Sequence, residues 1–272
     1  MCVLQQAPLT STLSTGALSL SLLLPTHPHP HTPTHLLPPP LCAADLEAAV
    51  EGAMAAKFRN AGQTCVCANT LYVHSSLAAA FTQRLTQRVA ALVVGDGLVP
   101  GTQVGPLISP AAVAAQQALL ADALSAGAAV VATGGAAPPP ATGTGPGRGN
   151  FFSPTVLSGL SLGSSSTGAL RCVREEVFGP LAPVVAFDSE AQVLAAANSS
   201  SAGLAAYIFT ASSARAWRVG GALQVGMVGV NTGLISAAQA PFGGVKESGF
   251  GREGGRAGLQ EYQNIKYTMM GF

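Results

Sequence analysis

The chain has 272 residues, of which 48% are hydrophobic and 9% charged, with a formal net charge of +1. A charged share so far below the roughly 25% of typical soluble domains suggests surfaces that other protein covers, or segments that do not fold. A charge near zero creates no field to attract nucleic acid, and no run reaches the roughly 18 apolar residues of a membrane-spanning helix, so neither nucleic acid nor membrane is expected as a partner.

The first part of the chain differs sharply from the rest in composition. Residues 1–44 contain no Asp, Glu, Lys or Arg, but hold four of the five histidines and eight of the nineteen prolines. Such a composition predicts that residues 1–41 form a low-complexity, disordered segment. The alternative is weak binding of a transition metal by its four histidines, which are His27, His29, His31 and His35.

From Asp45 onward, segments with helical spacing of apolar residues alternate with short strand-like runs. The predicted helices are 45–58, 77–93, 110–126, 191–199 and 214–223. The predicted strands are 70–74, 129–132, 151–157, 182–187, 205–210 and 225–231, followed by an exposed edge strand within 260–270. Residues 136–149 are nearly all Ala, Pro, Gly and Thr and predict a flexible surface loop. This alternation is typical of an α/β domain with a mostly parallel sheet.

The cysteines are odd in number and lack the spacing of a disulfide framework; they are Cys2, Cys42, Cys65, Cys67 and Cys172. That usage predicts reduced thiols and an intracellular protein of the cytoplasm or mitochondrion. The short apolar run 18–25 has no Lys or Arg before it, so it predicts no targeting signal.

Cys65 is the candidate nucleophile, in the run KFRNAGQTCVC at residues 57–67. A thiolate attacks carbonyl carbon well, and the guanidinium of Arg59, six positions upstream, favours the charged form and can hold an anionic substrate. The competing interpretation is a buried cysteine that acts as a small hydrophobic residue. The polar, glycine-containing lead-in favours the nucleophile.

Two further blocks stand downstream of the cysteine. They are EEVFGP at 175–180 and PFGGVKESGFGRE at 241–253. The three blocks together closely resemble the catalytic segments of aldehyde dehydrogenases, and the KFRN lead-in is similar to the succinate-semialdehyde dehydrogenase branch. The resemblance runs from about residue 42 to the C-terminus.

The resemblance implies a role for several residues in substrate chemistry. Cys65 would attack the aldehyde and pass through a thiohemiacetal and a thioester. Arg59 and Ser236 would hold a distal carboxylate of the aldehyde, and Phe242 would line the substrate tunnel. The plain alternatives are a surface salt bridge for Arg59 and an ordinary loop serine for Ser236.

The resemblance also implies a cofactor and a redox contact. Glu176 would accept a hydrogen bond from a ribose of bound NAD or NADP, and Phe178 would pack beside its nicotinamide. Cys67 would form a reversible disulfide with Cys65, although a spacing of two residues is marginal for a disulfide and a packed second cysteine is the alternative. A lone Cys-x-Cys lacks the remaining ligands of a zinc site, so no metal is expected.

Three regions follow from the resemblance. They are a low-complexity segment at 1–41, an aldehyde dehydrogenase catalytic domain at 42–257, and an oligomerisation tail at 258–272, which implies homo-oligomers or association with a full-length homologue. Nothing in 1–41 matches the family's cofactor-binding domain or its general-base Glu, so impaired turnover is expected of this chain alone. The alternatives are an inactive fragment that joins oligomers, and a Cys65-dependent esterase without hydride transfer.

Overall fold

The computed structural model describes residues 2–3, 19–23, 41–135, 149–164, 167 and 170–272. Its helices are α1 (Leu41–Phe58), α2 (Ser75–Ala90), α3 (Pro110–Ser125), α4 (Arg171–Arg174), α5 (Glu190–Asn198), α6 (Ser213–Ala222) and α7 (Gly255–Gln260). Its strands are β1 (Cys2–Val3), β2 (Ser19–Leu23), β3 (Ala68–His74), β4 (Ala129–Thr133), β5 (Thr155–Ser161), β6 (Leu181–Phe187), β7 (Ala202–Gly203), β8 (Ala205–Phe209), β9 (Met227–Val230) and β10 (Val245–Lys246).

Within the described residues, eight strands form one sheet in the order β4-β5-β6-β3-β2-β8-β9, with β1 beside β3. Neighbouring strands run parallel except at β4–β5 and β1–β3. A small antiparallel pair, β7–β10, stands apart from this sheet. The α/β architecture with a mostly parallel sheet that the sequence predicts is therefore confirmed.

The helices cover the sheet with apolar faces. Helix α2 buries Phe81, Leu85 and Val89, which recur every four residues and so lie on one face. Helix α3 begins where the Ser109 side chain accepts a hydrogen bond from the Ala112 N–H, with Pro110 in the first turn. No helix in the described ranges combines the length and apolarity of a membrane span.

Part of the segment predicted to be disordered belongs to the sheet. Strand β2 lies between β3 and β8, and β1 pairs with β3. The structure therefore places Cys2–Val3 and Ser19–Leu23 in strands, and the disorder expected of the residues of 1–41 outside the described ranges stays a prediction. An apolar run of Leu and Ser suits a slot between two parallel strands whose backbone groups need partners. The histidine-rich stretch and residues 136–148 of the predicted loop lie outside the described residues.

The C-terminal tail differs from its prediction. Residues 263–272 carry no helix or strand, so the edge strand predicted within 260–270 is not formed in this chain. Tyr262, Ile265 and Tyr267 are exposed as expected. A strand needs a hydrogen-bonded neighbour, and the ladders of the described residues include none for this tail. The oligomerisation role of the tail stays a prediction.

Candidate active site

A sharp reversal after helix α1 leads into the cysteine segment. Asn60, Ala61 and Gly62 adopt left-handed φ values of 52°, 54° and 74°. This conformation costs roughly 1–2 kcal/mol for a residue with a Cβ. Side chains stabilise the reversal, because the Asn60 amide donates to the Gln63 carbonyl at 3.0 Å and the Gln63 amide donates back to the Asn60 carbonyl at 3.2 Å. Strain of this kind is typical of functional segments.

Cys65 lies in a tight turn that follows the reversal directly in sequence. The Cys67 N–H donates to the Thr64 carbonyl at 2.9 Å, which places Cys65 and Val66 at the two central positions. The Thr64 Oγ1 and Cys67 Sγ atoms share a hydrogen bond of 2.5 Å across the same turn. Two hydrogen bonds between Thr64 and Cys67 therefore hold the backbone of Cys65 and Val66 in place.

The Cys65 side chain is partly buried and opens into a cavity of about 880 Å³. Phe242 and the glycine-rich loop that follows it line the same cavity. Cys65 packs against a small apolar cluster of Val66, Leu204 and Ala205, and Met227, Ile235 and Phe242 pack against the same cluster. The fold therefore brings together Cys65 and Phe242, which are far apart in sequence, at one apolar cavity.

The pKa of the Cys65 thiol is raised above its usual value. Burial raises its pKa and the Glu176 carboxylate raises it further, whereas the backbone N–H groups of Cys65 and Val66 lower it. The groups that favour the thiolate are therefore backbone N–H groups. The sequence predicts the Arg59 guanidinium in this role. Because a raised pKa means fewer thiolates at neutral pH, the reactivity of Cys65 is expected to increase with pH.

A second, much smaller cavity of about 10 Å³, roughly the space of one water molecule, lies beside Cys67. Lys57, Glu176 and Phe178 line it as well. Cys67 is buried and its thiol donates to the Arg59 carbonyl at 3.6 Å. The two thiols open into different cavities, so a Cys65–Cys67 disulfide would first have to release the Cys67 contacts. The disulfide stays a prediction.

Lys57 begins the KFRN lead-in, but the sequence motifs assign it no role of its own. Its side chain is only 1% exposed, and burial lowers its pKa to about 8. The nearby Cys67 and Glu176 groups oppose that shift. The signal was present in the sequence, since Lys57 follows Val50 and Ala53 on the buried stripe of helix α1.

Asn69 is a second residue that the sequence motifs miss. Its amide nitrogen donates to the carbonyls of Cys172 and Glu175 at 3.1 and 3.0 Å, and its oxygen accepts from the Val177 N–H at 2.7 Å. Gln116 adds a bond of 2.5 Å to the Val177 carbonyl. These buried amides position the segment that carries Glu176 and Phe178.

We expect Asn69→Leu to destabilise the protein by about 3 kcal/mol or more, because each buried polar group left unpaired costs roughly 1–3 kcal/mol. Asn198→Leu is the control, since the Asn198 amide also bonds the backbone, through two groups where Asn69 bonds three, but is more exposed. Urea unfolding of both variants checks the prediction. Equal losses would show that Asn69 stabilises the site no more than an exposed amide does.

The Glu176–Phe178 segment contacts the cysteine segment through glycines. A Cβ on Gly62 would lie 2.2 Å from the Gly179 carbonyl oxygen, so the two backbones touch. Phe178 adopts a left-handed φ of 41° and leaves its side chain 44% exposed. The exposed Phe178 ring and the Glu176 carboxylate thus lie on the Cys67 side of the Thr64–Cys67 turn, which carries Cys65 and is called the nucleophile turn.

Arg59 and Ser236 line neither cavity. The Arg59 Nε atom is buried and has no hydrogen-bond partner within the part of the chain that the structure describes. Ser236 is exposed, in the loop that follows β9, and its neighbour Ile235 packs against the same apolar cluster as Cys65. In the same described ranges, no three side chains of His, Cys, Asp or Glu come together to hold a metal.

Known proteins resemble this chain over most of its length. The sequence model of the aldehyde dehydrogenase family matches residues 41–268. The NADP(+) succinate-semialdehyde dehydrogenase GabD of Escherichia coli (strain K12) is 49% identical over 228 residues, which are 84% of this chain and 44% of that protein. A glutarate-semialdehyde dehydrogenase of Pseudomonas aeruginosa is 48% identical over the same shares.

Solved structures agree. The crystal structure of an NADP-dependent enzyme from E. coli superposes with a TM-score of 0.74 at 47% identity, covering 84% of this chain and 44% of that one. The chain spans less than half the length of the relatives it matches. The resemblance carried by the three sequence blocks is confirmed, and the chain belongs to the aldehyde dehydrogenase family.

Proposed function

We propose that this chain carries out the carbonyl chemistry of an aldehyde dehydrogenase on a semialdehyde acid, with Cys65 as the nucleophile. The observation that carries the proposal is the partly buried Cys65 thiol, which opens into the cavity shared with Phe242. The names of the relatives specify succinate and glutarate semialdehydes, which join an aldehyde to a distal carboxylate. Succinate semialdehyde is the first substrate to test.

The proposed reaction begins with attack of the Cys65 Sγ atom on the carbonyl carbon. The new C–S bond gives a thiohemiacetal, whose oxyanion can accept hydrogen bonds from the backbone N–H groups of the turn. Loss of a hydride from that carbon leaves a thioester, and water then releases the acid and returns the thiol. Bound NAD or NADP would supply the hydride acceptor.

Glu176 and Phe178 fit a nicotinamide nucleoside. A carboxylate accepts hydrogen bonds from sugar hydroxyls, and the exposed Phe178 ring offers a face to an aromatic base. Asn69 and Gln116 position this segment from behind. The name of the E. coli relative specifies NADP(+), so NADP is the first cofactor to test.

Arg59 would hold the distal carboxylate. Its buried, unpartnered Nε suits an incoming anion, because a buried charge-bearing donor is costly when left without an acceptor. The planar guanidinium binds a carboxylate with two parallel hydrogen bonds. Ser236 would add a hydroxyl donor from the loop after β9.

We expect Arg59→Ala to weaken the binding of succinate semialdehyde about 10- to 100-fold, the equivalent of one charge-assisted hydrogen-bonded contact. The measurement is protection of Cys65 against iodoacetamide, since an aldehyde held as a thiohemiacetal blocks alkylation. Butanal, which lacks the carboxylate, should protect both proteins equally, and the exposed Arg256→Ala is the control variant. Equal losses for the two aldehydes would refute the role of Arg59.

Ester hydrolysis is a second candidate activity, favoured by one observation. The cavity at Cys65 is lined by neither Glu176 nor Phe178. Attack of the Cys65 thiolate on an ester expels the alcohol and leaves the acyl group on sulfur as a thioester, which water hydrolyses to the free acid and the thiol. This reaction needs no hydride acceptor, so its rate measures the reactivity of Cys65 independently of cofactor binding.

A further inference from the structure

The peptide group that follows Val66 is held at both ends. Its carbonyl accepts a hydrogen bond from the Tyr207 hydroxyl at 2.9 Å, and its N–H, on Cys67, donates to the Thr64 carbonyl at 2.9 Å. Bonds at the two ends of one peptide group polarise each other and strengthen both. This doubly held peptide lies one residue after Cys65, inside the turn that carries the nucleophile.

Tyr207 is built into the rigid centre of the fold. It lies in strand β8, between β2 and β9, and is fully buried. Gly229 lies opposite it on β9, where a Cβ would come within 2.8 Å of the Tyr207 ring. The absence of a side chain at Gly229 thus leaves room for the ring. A buried phenol needs a partner for its hydroxyl, and here that partner is the nucleophile turn.

The backbone of that turn acts directly on the sulfur. The N–H groups of Cys65 and Val66 stabilise the thiolate, against the effect of burial. They do so only while the turn keeps its orientation, and a rigid strand 141 residues away supplies the anchor. A tyrosine that served only to fill space would not need its hydroxyl at this carbonyl.

We propose that Tyr207 is a positioning residue for Cys65: its buried hydroxyl fixes the turn that directs the backbone N–H groups of Cys65 and Val66 toward the sulfur. The inference rests on the proposed function in that Cys65 is the reacting group. It predicts a change in the ionisation of one thiol rather than a general loss of stability.

The test is the pH profile of Cys65 alkylation by iodoacetamide, read from the labelled peptide by mass spectrometry. In Tyr207→Phe, which removes only the hydroxyl, we expect the midpoint to rise by about half a pH unit or more, so that the rate near neutral pH falls about threefold. The sign follows because losing donors to the thiolate favours the neutral thiol. Trimethylamine N-oxide in every sample keeps a destabilised variant folded.

Tyr72→Phe is the matched control, since Tyr72 is also fully buried, in β3 of the same sheet. Its midpoint should not move. An unchanged midpoint in Tyr207→Phe, or the same shift in both variants, would overturn the proposal. Failure of the proposed function would show elsewhere, as ester hydrolysis that survives Cys65→Ala, and it would leave the alkylation profiles measurable.

Discussion

Replacing Cys65 with alanine should lower the hydrolysis of p-nitrophenyl acetate at least about 10³-fold, because loss of a nucleophile removes the covalent route altogether. The structure supports this expectation through the position of the thiol, which opens into the cavity shared with Phe242. The measurement is nitrophenol release by the purified chain and its variant, without cofactor.

Cys172→Ala is the control for this experiment. Cys172 is fully buried, and burial raises its pKa to about 12, so it supplies almost no thiolate near neutral pH. Its variant should keep the activity of the unchanged chain. Equal rates for the chain and Cys65→Ala would exclude Cys65 as the nucleophile, and no hydrolysis by either would favour an inactive fragment.

Replacing Gly62 with alanine should destabilise the protein by about 2–5 kcal/mol. The new Cβ would lie 2.2 Å from the Gly179 carbonyl oxygen, and the φ of 74° is unfavourable for any residue with a Cβ. The backbone term costs about 1–2 kcal/mol, and forcing an extra methyl into a packed contact costs about 1–3 kcal/mol more. Urea unfolding measures the sum.

Gly101→Ala separates the two causes. Gly101 has a φ of 89°, but a Cβ added there would have no atom within 4 Å. This variant should therefore lose only the backbone term of about 1–2 kcal/mol. If Gly62→Ala lost no more than Gly101→Ala, the close contact between the cysteine segment and the Phe178 segment would not stabilise the fold.

The sequence predicted the layers of the fold well and the order of the strands not at all. Apolar periodicity is local, so it identified β3, β6 and β8 and, between them, the helices α2, α3 and α5. Pairing between distant strands leaves no local pattern. Strand β2 shows this most clearly, because its five residues lie in a segment whose proline and histidine content predicts disorder.

The candidate site divides in the same way. Cys65, Glu176 and Phe242 stand in recognisable blocks, and the fold brings Cys65 and Phe242 together. The residues that hold those blocks are single side chains far away in sequence. Asn69 accepts a hydrogen bond from the Val177 N–H across 108 residues of sequence, and no local pattern near either residue predicts this contact.

The predicted edge strand within 260–270 failed for a related reason. Alternating Tyr and Ile residues suit a strand, but only a neighbouring strand completes the ladder. In this chain Ile265 is fully exposed and its segment is irregular. The strand propensity of the tail therefore indicates that it can pair with a neighbouring strand. It does not determine the conformation of the tail when no such neighbour is present.

The most direct test of the central claim is competitive labelling of the folded chain with limiting iodoacetamide, followed by peptide mapping. Among the three cysteines with described side chains, Cys65 is partly buried, whereas Cys67 is only 7% exposed and Cys172 is fully buried. We expect Cys65 to be labelled first, and succinate semialdehyde to protect it. Labelling of Cys67 or Cys172 at the same rate, or a Cys65 that stays unlabelled until the protein unfolds, would contradict a nucleophile that faces an open cavity.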